Sequence, residues 1–134
     1  MVGRGRELIV RPVGEVGRSR GKGLKEIIVY EEFVPGLAGV EEHIYLIVLW
    51  WLHHSESDRD TLQFKPSLSK VVPKGDSRVL ELHGVFSSRA PLRPNPVAVT
   101  VVQLVNVEGN TLIVRGLDAF PGSLVIDIKP HFLL

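Results

Sequence analysis

A short proline-rich segment carries the side chains of this chain that are best suited to binding chemistry. The segment Ala90–Pro96 holds three prolines, and each lacks an N–H and fixes φ, so it cannot lie in a helix or a central strand. The residue before each proline is held extended as well. We therefore predict a stiff loop that presents two guanidinium groups and one amide to a charged or planar ligand: Arg89, Arg93 and Asn95. The alternative is an ordinary connector with solvated arginines.

Two adjacent histidines, His53 and His54, close the longest apolar segment of the chain. Neighbouring residues on a strand point to opposite faces, so the pair cannot ligate one metal ion. One packed and one solvated histidine is the alternative to a binding role. The preceding Trp50 and Trp51 are interpreted as core or dimer-interface residues rather than a platform for base stacking.

Carboxylates near the C-terminal end are candidates for acid–base chemistry. Asp118 follows a predicted strand, where capping of a turn is its ordinary role. Asp127 and Lys129 lie two residues apart on the last predicted strand, so both charges project from one face. The alternative for this pair is a surface ion pair of little energetic weight.

Basic residues are concentrated near the N-terminus. The net charge of +1 gives no argument for a nucleic-acid partner, but the first 25 residues are rich in arginine and lysine. This arm is predicted to reach phosphates through Arg18, Arg20 and Lys22, and residues 1–6 are expected to be flexible. A frayed, solvated terminus is the alternative.

The elements that must position these side chains are read as short strands separated by turn residues. Predicted strands cover Glu7–Arg11 with a continuation over Val13–Gly17, Glu26–Tyr30, His43–His53, Thr61–Lys65, Arg78–His83, Val97–Val107, Thr111–Arg115 and Val125–Lys129. Loops or turns are predicted at Arg18–Gly23, Pro35–Val40, Glu108–Asn110 and Pro121–Gly122. For 134 residues this pattern favours an all-β fold, a single compact β-barrel with short helical turns in one domain.

Several classes of protein are excluded or disfavoured. The chain has no cysteine, which excludes disulfides, thiolate zinc sites and a cysteine nucleophile. It has neither a dinucleotide-binding glycine fingerprint after a strand nor a phosphate-binding Gly-x-x-x-x-Gly-Lys loop. Its longest apolar run, Ile44–Leu52, falls far short of the roughly 20 residues of a membrane helix. We expect a soluble, cytoplasmic protein without a metal.

The segment Gly84–Pro96 resembles a long motif of the TsaA-like family, Gly-Val-Phe-Ala-Thr-Arg-Ser-Pro-x-Arg-Pro-Asn-Pro. Further matches are Val97–Thr100, Gly116–Asp118 and Val125–Pro130, the last around Asp-Ile-Lys-Pro. Members of this family are tRNA methyltransferases that use S-adenosylmethionine on threonylcarbamoyladenosine beside the anticodon. The resemblance implies a β-barrel, a homodimer, S-adenosylmethionine as cofactor and tRNA as partner.

The resemblance also implies roles for individual residues. Arg89 would bind the carboxylate of the methionine part or a phosphate, and Asp118 would bond ribose hydroxyls or offset the sulfonium charge. We expect one cofactor pocket formed by His53, His54, Arg89, Val99, Gly116, Leu117 and Asp118. The catalytic candidates are Asp118, Asp127 and Lys129, and the expected RNA contacts are Arg93, Asn95, Arg18, Arg20 and Lys22.

The chain departs from the family pattern at two cofactor motifs. It has Arg18–Lys22 in place of Pro-Arg-Gln, and Ile44-Tyr45 in place of Ser-His before the long strand. Three functions therefore stay open: the tRNA methyltransferase, a catalytically degenerate barrel that binds RNA or a nucleoside ligand without methyl transfer, and an enzyme of this architecture with a different small substrate.

Overall fold

The computed structural model describes residues 5–64 and 82–132. Its strands are β1 Gly14–Gly21, β2 Leu24–Val29, β3 Tyr45–Trp51, β4 Gln63–Phe64, β5 His83–Gly84, β6 Val97–Glu108, β7 Thr111–Arg115 and β8 Leu124–His131. Short 3-10 segments cover Glu31–Leu37, Val40–Glu42, His53–Asp58 and Val85–Ser87. This composition confirms the predicted all-β class with short helical turns.

The chain divides into two compact units. One comprises Met1–Trp51 with Val99–Leu134, and the other comprises Leu52–Ala98. The expectation of one domain over residues 1–134 stays a prediction.

In the first unit, six strands follow one another in the order β1, β2, β7, β6, β3, β8, and β8 also pairs with β1. The β1–β2, β1–β8, β2–β7, β3–β8 and β6–β7 pairs are antiparallel, as expected for strands joined by short turns. The β6–β7 hairpin turns at Gly109-Asn110, where Gly109 has φ +63°, as the sequence predicts. The strand over Thr111–Arg115 has the predicted bounds.

The core lies on the inner side of these strands. On β3 the buried side chains are Leu46, Val48 and Trp50, alternating with half-exposed neighbours. β7 is buried continuously over Leu112–Val114. The prediction that Trp50 is a core residue is confirmed. Alternation along β3 also means that the strand has one core face and one outer face, instead of the two buried faces that its composition indicated.

The predicted strand over Glu7–Arg11 is wrong. β1 begins at Gly14, and residues 6–13 form no strand, with Leu8 and Ile9 90% and 92% exposed. Pro12 has no N–H to donate to a ladder, and the first backbone bond to β8 comes from Val13 N–H to Val125 O, at 2.8 Å.

The predicted loop over Arg18–Gly23 is wrong as well. β1 continues to Gly21 through two register shifts and returns as β2 after the tight turn Lys22-Gly23. Both turn residues have positive φ, +55° and +77°, which is the geometry of a two-residue hairpin turn. Glycine adopts positive φ without steric cost, so this glycine-rich sequence forms a hairpin turn and not an open loop.

The other predicted elements agree with the structure within a few residues. His43–His53 is shortened to Tyr45–Trp51, and Val125–Lys129 is extended to Leu124–His131. Within Thr61–Lys65 the structure has the short β4, and Lys65 lies outside the described residues. Most of Arg78–His83 also lies outside them, and only His83 belongs to β5.

Candidate functional site

Asp118 lies on a loop whose backbone is fixed from both sides. Gly116 adopts φ +95° at the end of β7, and its N–H donates to Gly23 O at 3.3 Å. Leu117 and Ala119 are buried, while Asp118 between them is exposed. Burial of the two flanking side chains holds the carboxylate outward without a helix or strand around it.

A chain of hydrogen bonds orients the Asp118 carboxylate. Thr100 Oγ1 lies 2.7 Å from Asp118 Oδ1 and 3.0 Å from Trp50 Nε1. The indole N–H can only donate and the carboxylate can only accept, so the hydroxyl accepts from Trp50 and donates to Asp118. The polar handle of a buried tryptophan thereby fixes the direction of the threonine proton.

Lys25 secures the same loop from the β2 side. Its Nζ donates to Ala119 O at 2.8 Å, in a part-buried position. The described residues give this ammonium no ion-pair partner. A half-buried cation without a carboxylate is available for an anionic ligand.

Asp127 and Lys129 form an ion pair on β8, with Oδ2 and Nζ 2.8 Å apart. The prediction that both charges project from one face is confirmed. Asp127 pairs with Leu49 across β3, on the face opposite to the buried Trp50 and Val48. Asp127 Oδ1 also accepts the Ile128 N–H at 2.9 Å. No hydrogen bond or ion pair among the described residues joins this pair to Asp118.

Two of the basic residues near the β1–β2 turn, Arg18 and Arg20, form ion pairs with glutamates. Arg20 Nη2 lies 2.6 Å from Glu26 Oε2 and 2.9 Å from Glu108 Oε2, while Arg18 Nε lies 3.6 Å from Glu26 Oε2. The hydrogen bond to Glu26, and then the one to Glu108, raises the pKa of Arg20. The hydrogen bond from Arg20 lowers the pKa of Glu26. Lys22, at the tip of the hairpin, is exposed.

In the second unit, His53 and His54 open the 3-10 segment His53–Asp58 and are both exposed. The expected strand geometry at this pair is wrong, because β3 ends at Trp51. His53 Nδ1 lies 3.6 Å from Glu56 Oε1, one 3-10 turn later.

The proline-rich segment of the second unit is held in shape by two arginines. Arg93 Nη1 donates to Ser88 O at 3.1 Å and to Ala90 O at 2.9 Å. Arg59 donates to Pro94 O at 2.6 Å and to Asn95 Oδ1 at 3.1 Å. The segment contains no regular secondary structure before Val97, as the prolines predict. Stiffness therefore comes from side-chain bonds to carbonyls in addition to proline.

Arg89 is exposed and makes no hydrogen bond or ion pair with another described residue. No described residue therefore competes with an anion for this guanidinium, which directly precedes the proline-rich segment. Val99, in the first unit, is exposed on β6 and precedes Thr100, so the two side chains point to opposite faces of the strand.

The first unit contains a separate cavity of about 270 Å³. It is lined by residues 36–40 and by Glu42, His43, Leu46, Ile128, Lys129 and Pro130. Among the predicted site residues it contains Lys129 alone, so it is distinct from the Asp118 loop.

Sequence reasoning missed three polar contributors to the Asp118 loop: Thr100, Trp50 and Lys25. The sequence signal for Thr100 was its place in Val97–Thr100, next to the proline-rich motif. Lys25 had no signal, because its partner is a backbone carbonyl 94 residues away.

Two further findings concern residues 5–64 and 82–132. Within these ranges no group of three or more His, Asp or Glu side chains is arranged to hold a metal ion. No helix there is both long and apolar enough to span a membrane.

Comparison with known proteins places this geometry in a family context. Residues 16–133 match the family described as the tRNA-methyltransferase O N-terminal domain. A probable S-adenosyl-L-methionine-binding protein of Archaeoglobus fulgidus is 45% identical over 106 residues, which are 79% of this chain and 26% of that protein. A second A. fulgidus protein, named an S-adenosyl-L-methionine-binding protein, is 42% identical over 81% of this chain and 69% of its own length.

A probable S-adenosyl-L-methionine-binding protein of Methanothermobacter thermautotrophicus is 40% identical over 94% of this chain and 91% of its own length. The crystal structure of TrmO from Pseudomonas aeruginosa has the same fold, with a TM-score of 0.66 and 22% identity. That likeness covers 95% of this chain but 57% of the solved chain, so this chain spans little more than half of that protein and about a quarter of the first relative.

Proposed function

Because the chain belongs to the family of tRNA-methyltransferase O N-terminal domains, we propose that it binds S-adenosylmethionine and methylates threonylcarbamoyladenosine beside the anticodon of tRNA. The family match over residues 16–133 carries the methyltransferase assignment. The names of the relatives support the cofactor. The methyl acceptor rests on the resemblance of the proline-rich motif and Asp-Ile-Lys-Pro.

The charges of the candidate residues fit the cofactor. S-adenosylmethionine carries a carboxylate, a cationic sulfonium and two ribose hydroxyls. Asp118 is exposed. Thr100 donates to its Oδ1, and no described residue bonds its Oδ2, so the carboxylate can accept hydrogen bonds from hydroxyls. Gly116 leaves open space around its backbone, where an added Cβ would meet nothing closer than 4.0 Å. Arg89 offers a carboxylate a guanidinium that no described residue bonds.

Candidate cofactor contacts are proposed in each unit taken by itself. They are Gly116, Leu117 and Asp118 in the first unit, and Arg89, His53 and His54 in the second. Val99 belongs to the set through its position on β6. Since its side chain points away from the Thr100 face, a ligand held by Asp118 would meet Val99 through the backbone.

When bound, the cofactor would supply the electrophilic methyl group. The chain's own task is to align the acceptor nitrogen and to receive its proton, and orientation accounts for much of the acceleration of such a transfer. Asp118 is the proposed proton acceptor that the structure supports most directly, because Thr100 fixes its direction. Asp127 and Lys129, which bond to each other on β8, remain candidates for contact with the substrate.

We further infer that the ring of strand pairings in the first unit is the compact barrel that the resemblance implies, and that the protein acts as a cytoplasmic homodimer. The outer faces of β3 and β6 support the dimer. β6 exposes Val99, Val101 and Val105, and β3 presents half-exposed Ile47 and Leu49. A second copy would remove these valines from water, which stabilises association by roughly 25 cal/mol per Å² of apolar area.

RNA contact is proposed for Arg93, Asn95, Arg18, Arg20 and Lys22. The structure ranks them by availability. Lys22 is exposed at a hairpin tip, whereas Arg20 already bonds Glu26 and Glu108, and Arg93 bonds two carbonyls. Lys22 and Arg18, whose side chain is 79% exposed, are therefore expected to contribute more to affinity than Arg20.

The test is methyl transfer from labelled S-adenosylmethionine to purified tRNA. Label is expected in tRNA that bears threonylcarbamoyladenosine and not in tRNA that lacks it. Binding of the cofactor and tRNA without transfer would indicate that the changes at Arg18–Lys22 and Ile44-Tyr45 have removed catalysis, which is the degenerate-barrel alternative. Cofactor binding without tRNA binding would indicate a different substrate.

A further inference from the structure

Phe120 is a large aromatic side chain that is exposed to solvent on a loop whose backbone is held by hydrogen bonds. It is 71% exposed, two residues after Asp118, and it follows the fully buried Ala119. The alternation of buried Leu117 and Ala119 with exposed Asp118 and Phe120 places the carboxylate and the ring on the outward side of one loop. Single exposed apolar residues are common, so exposure alone is not informative.

The backbone beneath Phe120 distinguishes it from an ordinary exposed residue. Ser123 N–H donates to Phe120 O at 3.1 Å across Pro121-Gly122, and Gly122 has φ +91°. Proline at the second and a positive-φ glycine at the third position define a type II turn. Gly122 N–H also donates to Val16 O at 2.7 Å, which ties the turn to β1. The backbone that carries the ring is therefore already ordered, so binding of a ligand to the ring costs little additional backbone entropy.

Lys25 places a positive charge at the same loop. Its Nζ lies 2.8 Å from the carbonyl of Ala119, the residue immediately before Phe120. The described residues offer it no carboxylate, and two of its three N–H donors remain after the bond to Ala119. Residues 118–120 thus carry a carboxylate and an aromatic ring, and the Lys25 ammonium bonds the carbonyl of Ala119 between them.

We propose that Phe120 and Lys25 form a clamp for one unpaired nucleotide of RNA, with the base stacked on Phe120 and a flanking phosphate bound by the Lys25 ammonium. The proposal rests on the proposed function and adds two residues to it. An aromatic face and an adjacent cation match the two parts of a nucleotide, because every base has a π-face and every phosphate is anionic. A fully paired duplex would not use the ring, since its bases are stacked on each other.

The two halves of the clamp predict different changes in binding. Phe120→Ala is expected to weaken binding of an RNA stem–loop by about fivefold to 150-fold, the range for loss of one base–aromatic stack. The dependence of affinity on salt should not change, because no charge is lost. Lys25→Gln is expected to lower the slope of log affinity against log salt by about 0.7, the value for one phosphate contact on a single strand.

The measurement is fluorescence anisotropy of a labelled RNA stem–loop with unpaired loop bases, over a series of potassium chloride concentrations, with a fully paired duplex beside it. Phe120→Trp should keep the affinity and Lys25→Arg should keep the slope. Phe132→Ala is the matched control, since Phe132 is 67% exposed but packs edge-on against His43, 5.7 Å between ring centroids. Melting temperatures of all variants show that they fold.

The outcomes separate this proposal from the proposed function. Unchanged stem–loop affinity in Phe120→Ala, or an unchanged slope in Lys25→Gln, with normal binding by the wild type would overturn the clamp and leave the methyltransferase proposal intact. An equal loss on the paired duplex would also overturn it. Wild-type protein that binds cofactor but no RNA would refute both the clamp and the tRNA substrate.

Discussion

Thr100 Oγ1 and Asp118 Oδ1 are 2.7 Å apart, and the same hydroxyl lies 3.0 Å from the indole nitrogen of buried Trp50. The three groups belong to different parts of the chain, β3, β6 and the loop after β7. Because the indole can only donate, the threonine proton is directed to the carboxylate. The proposed ribose contact is thus positioned by a side chain from the protein core.

Removal of the Thr100 hydroxyl should weaken cofactor binding. Thr100→Val keeps the shape of the side chain but leaves Asp118 without its donor and Trp50 without its acceptor. Because Thr100 acts through Asp118 and not on the ligand, affinity for S-adenosylmethionine should fall by less than the roughly tenfold to hundredfold that loss of a direct charge-assisted hydrogen bond would cost. Calorimetric titration measures it. Thr100→Ser keeps the hydroxyl and should bind as the wild type does. Equal affinity for Thr100→Val would exclude Thr100 as a positioning residue.

Loss of the free guanidinium at Arg89 should have a comparable effect on the cofactor. Arg89→Ala is expected to reduce affinity by about tenfold to a hundredfold, since one charge-assisted contact to the carboxylate disappears. Arg11→Ala is the matched control, because Arg11 is an exposed arginine outside the strands and outside the proposed site. If the two variants titrate identically with the wild type, Arg89 is not part of the cofactor site.

The Arg20–Glu26 pair should contribute stability that depends on pH. The hydrogen bond from Arg20 lowers the pKa of Glu26 below its ordinary value of 4.5. A carboxyl whose pKa is lower in the folded state stabilises the fold above its unfolded pKa and loses that contribution as pH falls through the folded pKa. Glu26→Gln should therefore lower the melting temperature at pH 7.

The difference between Glu26→Gln and the wild type should shrink as the pH is lowered from about 5 towards about 3. Differential scanning fluorimetry across that range measures it. Glu108→Gln is the comparison and should have a smaller effect, because the Glu108 side chain is 45% exposed against 10% for Glu26. A melting-temperature difference that is independent of pH would mean that Glu26 acts through packing and not through its charge.

The apolar outer face of β3 and β6 should be covered in solution by a second copy. Light scattering is expected to give about twice the chain mass of 14.9 kDa. Val101→Lys places a charge on this face and should yield monomers, because an unpaired charge in an interface core is costly. Leu8→Lys, at an exposed residue outside the strands, should leave the dimer unchanged. A monomeric wild type at micromolar concentration would contradict the dimer.

Local sequence predicted the elements whose conformation depends on nearby residues. The turn at Gly109-Asn110 and the strand Thr111–Arg115 were predicted because a flexible turn residue and β-branched neighbours act within a few positions. The same local rules failed at Arg18–Gly23 and at Glu7–Arg11. In both cases pairing with another strand, or its absence, decided the outcome.

The candidate site shows the same division more sharply. The sequence alone determined that the chain is all-β, that Ala90–Pro96 is irregular, and that the family motifs bring Arg89 and Asp118 into consideration. Only the tertiary structure decided which arginines already form hydrogen bonds or ion pairs within the protein. Arg93 and Arg20 have partners, whereas Arg89 has none among the described residues. The physical reason is that a side-chain hydrogen bond depends on distance in space, and Trp50 with Thr100, or Lys25 with Ala119, are 50 and 94 residues apart along the chain.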